Sequence, residues 1–239
     1  MTTVVLVHGA WHGAWSFDRV VPLVREAGID VVTVDLPGHG EDEGPFTDLH
    51  GDADRVIRVL DAIDDDVVLL GHSYGGAVIT DAGVHPRVRH LVYLCAFPLA
   101  EGETCQSAAT DEAVAVNIAH DGRPNVAESI VFADDGTSTV TPAGVVACLY
   151  QDCDDETRAW AVAHVGPQPM AALGQSPRAV AWRTTPSTYV VCTEDMMVHP
   201  ELQHLLAARC TNWVDWPTSH SPFASRPDLV ADLLVDLAG

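Results

Sequence analysis

Gly71-His72-Ser73-Tyr74-Gly75 narrows what this chain can fold into more than any other feature. An apolar run, Val67 to Leu70, enters it, and a helical run through Val78, Ile79 and Ala82 leaves it. The serine therefore sits on a strand-to-helix turn. Such a turn is so tight that glycines must flank the serine, which leaves its hydroxyl exposed above the carboxyl edge of a sheet. The helix that starts there points the positive end of its dipole toward charge developing at that hydroxyl.

The flanking sequence supplies the sheet. Val4 to Val7 is a short apolar, β-branched run, the form of a strand buried on both faces. Trp15 to Ala27 carries a helical stripe of Phe17, Val20, Val21 and Val24, and Gly28 closes it. Ile29 to Val34 reads as a strand, the residues from Gly51 as a helix with Val56, Val59, Leu60 and Ile63 inside, and His90 to Cys95 as a further strand. This alternation predicts a mostly parallel, doubly wound α/β sheet with right-handed crossovers. The rhythm stops near Pro98. Residues 99–182 lack it, although Ala143 to Val165 has helical character interrupted by the polar run Gln151 to Glu156. It resumes with a strand at Tyr189 to Cys192, a helix from Pro200 to Ala208 and a strand at Trp213 to Trp216. A closing helix then starts in capping-box fashion at Ser225-Arg226-Pro227-Asp228. The expected organisation is one core, residues 1–98 and 183–239, with 99–182 inserted as a small helical cap.

A serine hydroxyl needs a base to attack anything at neutral pH. In this architecture the triad runs serine, acid, histidine along the chain. His220 follows the last strand and precedes the closing helix, whereas His204 sits within a helix and His199 just before one. His220 is therefore the expected general base and Ser73 the nucleophile. The acid should end the preceding strand, where Glu194 and Asp195 both stand; Asp195 is the expected partner, holding the imidazole in one tautomer. Two backbone N–H groups should receive the oxyanion: that of Tyr74, after the nucleophile, and that of Ala10, in the loop His8 to Trp15. Trp11 and His12, in the same loop, are expected to bind substrate.

Composition removes several partner classes. With 34 acidic residues, 12 basic ones and a formal charge of −22, the chain repels nucleic acid and anionic lipid. No apolar run is long enough to span a bilayer, and no signal peptide opens the sequence. A cytoplasmic location with six reduced cysteines is the corresponding expectation. Cys148 and Cys153 lack the second ligand pair of a zinc site, so neither a metal nor a cofactor is expected.

These residues resemble the α/β-hydrolase branch that holds plant methylesterases, plant hydroxynitrile lyases and their bacterial esterase relatives. The resemblance rests on Val7 to Trp15, Gly71 to Gly76, Val191 to Asp195 and Ser219 to Ser221. It implies a core sheet with a helical cap over the serine, and it favours Asp195 over Glu194 as the acid. The lyases carry threonine where this chain has Gly9 and lysine where it has Ser221. The chain contains no lysine. The expected activity is therefore hydrolysis of a carboxylic ester, or a lactone, of a small apolar molecule through an acyl-enzyme. A lyase using the same triad, and a non-catalytic small-molecule binding protein on this fold, are the alternatives.

Overall fold

The computed structural model describes residues 2–109, 123 and 126–239. Its main sheet contains β1 (Thr2–Val7), β2 (Asp30–Val34), β3 (Asp66–His72), β4 (Val88–Leu94), β8 (Ser187–Cys192) and β9 (Asn212–Trp216). A smaller antiparallel sheet contains β5 (Ile130–Phe132), β6 (Thr137–Val140) and β7 (Gln168–Pro169). Among the described residues, the α-helices of five residues or more are α1 (Val21–Glu26), α2 (Leu49–Asp61), α3 (Gly75–Ala82), α4 (Cys105–Ala109), α5 (Asp155–His164), α6 (Pro200–Ala207) and α7 (Pro227–Ala238).

The main sheet runs β2-β1-β3-β4-β8-β9, and every pair in it is parallel. Val4 to Val7 and Leu69 to Leu70 are fully buried, as strands covered on both faces must be. The chain steps from β1 outward to β2, then returns past β1 to β3. Right-handed crossovers therefore put α1 on one face and α2, α3 and α6 on the other. In keeping with this, α1 packs on α7, and α2 on α3. The reversal opens a crevice above the carboxyl ends of β1 and β3, where ligands of such sheets bind. The loops carrying Ala10 and Ser73 leave the sheet there.

Local chemistry sets the element boundaries. Asp48 caps α2 by accepting the N–H of Gly51, and Leu49, Ala53, Val56 and Leu60 form its buried stripe. The stretch expected as one helix from Trp15 to Ala27 is two: a 3₁₀ turn, Ala14–Phe17, and α1, which has Pro22 in its first turn. Proline lacks an N–H and fits a helix start better than an interior. The capping box expected at Ser225 does not form. Ser225 ends a short turn, Pro222–Ser225, and α7 begins without a side-chain cap, while Arg226 pairs with Asp228 at 2.7 Å.

Between β4 and β8 the chain leaves the sheet. Residues 110–122, 124 and 125 of the expected insertion lie outside the described residues. The remainder holds α4, the small sheet, a helical stretch from Pro142 to Leu149, and α5. The helical character read over Ala143 to Val165 thus corresponds to two pieces. The polar run divides them, because Asp154 starts a new helix by accepting the N–H of Thr157 at 2.8 Å. The three short strands were not foreseen; two to four residues are too few to display a period.

Candidate active site

Ser73 follows β3 with a backbone φ of 51°, in the left-handed region. That conformation costs a non-glycine residue about 1–3 kcal/mol and persists only where its surroundings over-determine it. Here the Ser73 N–H donates to the Leu94 carbonyl at 3.1 Å, and its own carbonyl accepts the N–H groups of Gly76 at 2.9 Å and Phe97 at 3.3 Å. Gly75 makes the turn possible, since a Cβ there would lie 2.6 Å from the carbonyl oxygens of both Val7 and His8.

His220 lies in a buried turn, Thr218 to Ser221. Its Nδ1 is 2.7 Å from Asp195 Oδ2, so Nδ1 carries the proton and Nε2 is left with a lone pair. Two donors from the core hold the His220 carbonyl: His72 Nε2 at 2.8 Å and the Cys95 thiol at 3.3 Å. His72 precedes Ser73, so this bond draws the histidine turn toward the serine turn. His72, Cys95 and His220 place ligand-type atoms within 4.8 Å of one another, but two of them serve as donors to this one carbonyl.

Asp195 is fully buried and Glu194 is exposed. The carboxylate against the histidine is thus that of Asp195. Its Oδ1 accepts the N–H groups of Met197 at 2.7 Å and Val198 at 2.9 Å, and Oδ2 accepts Gln203 Nε2 at 2.7 Å. Gln203 was missed in the sequence. The available signal was a glutamine on the apolar face of α6, beside Leu202 and Leu206. Its Oε1 also accepts the Cys192 N–H at 2.8 Å, so it joins the end of β8 to the aspartate.

Among the described residues, no acceptor takes the backbone N–H of Ala10 or of Tyr74. His8 sets the first of these. The Leu36 N–H donates to His8 Nε2 at 3.1 Å, which leaves the proton on Nδ1 to donate to the Gly9 carbonyl at 2.8 Å. In a trans peptide the C=O and the following N–H point in opposite directions, so anchoring the Gly9 oxygen aims the Ala10 N–H. Glycine is required at position 9, because a Cβ would lie 2.7 Å from His72 Nδ1 and 2.9 Å from Ser73 Cβ. Tyr74 is held from α2: its hydroxyl donates to Asp52 Oδ2 at 2.5 Å, and Thr47 donates to Oδ1 at 2.6 Å. Burial pushes the Asp52 carboxyl above its ordinary range, and these hydrogen bonds oppose that shift. Asp52 is a second residue that the sequence did not reveal.

Trp11 and His12 are both buried and bonded within the protein. Trp11, at φ 64°, donates its indole N–H to Ser138 Oγ at 3.1 Å. His12 Nδ1 donates to the Ala10 carbonyl at 2.7 Å, and Nε2 accepts the Tyr150 hydroxyl at 2.9 Å. Burial lowers the His12 pKa to about 4 and those of His8 and His72 well below the ordinary histidine value, with nearby histidines adding to the shift. All three stay neutral, and the donor pattern is fixed. A cleft of about 460 Å³ is bordered by His12, Trp15, Asp18, His39, Glu41 and His164; Ser73, Asp195 and His220 do not line it.

Residues 4–233 match the model of the alpha/beta hydrolase family. A pyrethroid hydrolase of Sphingobium wenxiniae is 26% identical over 252 residues, covering 100% of this chain and 88% of that protein. Methylesterase 9 of Arabidopsis thaliana is 40% identical over 81 residues, 32% of each chain. The crystal structure of a pyrethroid hydrolase from Sphingobium faniae superposes with a TM-score of 0.83 at 26% identity, covering 100% of this chain and 98% of that one. The chain belongs to the alpha/beta hydrolase family.

Proposed function

We propose that this protein is a serine carboxylic-ester hydrolase. The observation that carries the proposal is the buried His220–Asp195 pair, 2.7 Å apart, tied by His72 to the strained turn that presents Ser73. In this reading Ser73 Oγ attacks the ester carbonyl while His220 Nε2 takes its proton, and Asp195 stabilises the imidazolium. The N–H groups of Ala10 and Tyr74 receive the oxyanion, preorganised by His8 and Asp52. Collapse expels the alcohol with the proton from His220. Water then attacks the acyl-enzyme by the same relay and releases the acid. Relatives named as esterases and pyrethroid hydrolase support the reaction class.

The substrate is a carboxylic ester or lactone of a small apolar molecule, and a chain of charge −22 disfavours anionic ones. The segment 99–182 acts as the cap over the serine. Trp11 and His12 shape the substrate space through the backbone they hold. Six free cysteines, five of them buried, favour a reducing compartment and hence the cytoplasm. No helix of the described residues is long and apolar enough to cross a membrane. A panel of esters and lactones assayed with wild type and Ser73→Ala tests the proposal. Turnover confined to wild type is expected, and equal turnover by the two proteins would overturn it.

A further inference from the structure

The polar run that interrupts the helical stretch of the insertion has a use that its sequence does not declare. The helical stretch from Pro142 ends in a wide π turn, with the Tyr150 N–H donating to the Val145 carbonyl at 3.1 Å. Such turns recur at functional sites. The residues at its end each engage a different loop of the site. The Tyr150 hydroxyl donates to His12, which holds the Ala10 carbonyl. Gln151 Nε2 donates to the Glu194 carbonyl at 2.6 Å, next to Asp195. Asp152 accepts from both donors of Ser219: Oδ2 takes its N–H at 2.9 Å, and Oδ1 takes its hydroxyl in a short hydrogen bond.

Ser219 directly precedes His220 and is fully buried. The His220 carbonyl is gripped by His72 and Cys95 of the core, whereas the residue before it is gripped by Asp152 of the insertion. The histidine is therefore clamped on both sides, one clamp in each part of the protein. Arg158 of α5 backs the strap, donating to the carbonyls of Tyr150 at 3.2 Å and Gln151 at 2.5 Å.

We infer that Asp152 is a positioning residue for His220, and that Tyr150 to Asp152 align the oxyanion, acid and histidine loops as one unit. The insertion thus sets the catalytic geometry as well as covering it. This inference rests on the hydrolase reading above, since it acts through His220. Asp152 touches no reacting atom. Its contribution is to fix the imidazole direction, where a misplacement of about 1 Å costs up to roughly a hundredfold in rate.

The test measures kcat and KM for p-nitrophenyl acetate, with active sites counted by the p-nitrophenol burst. Asp152→Ala should lower kcat per titrated site by roughly ten- to a hundredfold, with KM changed by less than about threefold. Asp152→Asn should recover most of that loss, because its amide oxygen still accepts the Ser219 N–H and the serine hydroxyl can turn to accept from the amide. Ser219→Ala, which keeps the N–H bond, should cost only about threefold to tenfold. Asp154→Ala, which removes the cap of α5 a short way along the same segment, should lower Tm and leave kcat per site unchanged. If Asp152→Ala proves too unstable to assay, the contrast between Asp152→Asn, Ser219→Ala and Asp154→Ala decides. Equal kcat in wild type and Asp152→Ala, or equal losses in Ser219→Ala and Asp154→Ala, would overturn the inference. A wild type that turns over through Ser73 while Asp152→Ala is unaffected defeats this inference alone; turnover that survives Ser73→Ala defeats the hydrolase reading instead.

Discussion

Asp195 uses one carboxylate oxygen for Met197 and Val198 and reserves the other for His220 and Gln203. The imidazole is thereby held in the tautomer with its proton on Nδ1. Asp195→Asn would offer an amide that supports the opposite tautomer, and kcat should fall by roughly 10²–10⁴ in steady-state ester assays. Glu194→Gln should change kcat by less than about twofold, since Glu194 enters the network through its backbone alone. The reverse order of effects would move the acid to Glu194.

Gln203→Leu fills similar space but leaves the Cys192 N–H without its acceptor and the Val198 carbonyl without its Gln203 donor, and it removes one of the two donors to Asp195 Oδ2, the other being His220. Each buried group left unpaired costs about 1–3 kcal/mol. Urea titration should show a loss of roughly 2–5 kcal/mol, and kcat should fall with it. Wild-type stability in this variant would mean that water replaces the glutamine at no cost.

Gly9→Ala should depress kcat at least about tenfold, because the new methyl must push back His72 or Ser73, the residues that fix the nucleophile turn. The same crowding bears on the lyase alternative. Gly9→Thr with Ser221→Lys would introduce a hydroxyl and an ammonium, but only after His72 had moved. Release of cyanide from mandelonitrile by the unmodified protein, above the buffer rate, would contradict the ester reading. None is expected.

The buried histidines make stability depend on pH. His12 falls to about 4, and His8 and His72 fall well below their unfolded value of 6.5. Between these limits the unfolded chain binds more protons than the folded one, so stability rises with pH across this window and is lost as pH drops through it. Three such groups give a slope of at most about 4 kcal/mol per pH unit. Urea midpoints should be clearly lower at pH 5 than at pH 7. A flat profile between those values would mean that these histidines are charged in the fold.

Most of the core was legible because its signals are local. Val4 to Val7 and Val67 to Leu70 are apolar runs at the right spacing, and Gly71 to Gly75 admits one kind of turn. Chain order pointed to His220 and narrowed the acid to Glu194 or Asp195, and in the structure it is Asp195 that lies against His220. The supporting groups were not legible. Gln203, Asp52 and Asp152 act across 8 to 67 residues of sequence on Asp195, Tyr74 and Ser219. Each looks, in sequence, like an ordinary polar residue of a helix or loop. Trp11 and His12 were expected to bind substrate from their place in the loop alone; that Ser138 and Tyr150 engage their side-chain polar atoms is visible only in the fold.

The most direct test of the account is covalent. One equivalent of a fluorophosphonate should add one phosphonyl group to wild type, seen by intact mass, with the label on Ser73 in the peptide map and ester turnover falling in proportion. Ser73→Ala should take up no label and hydrolyse p-nitrophenyl acetate at no more than a few per cent of the wild-type kcat. Label on another residue, or turnover that survives Ser73→Ala, would contradict the assignment of Ser73 as nucleophile.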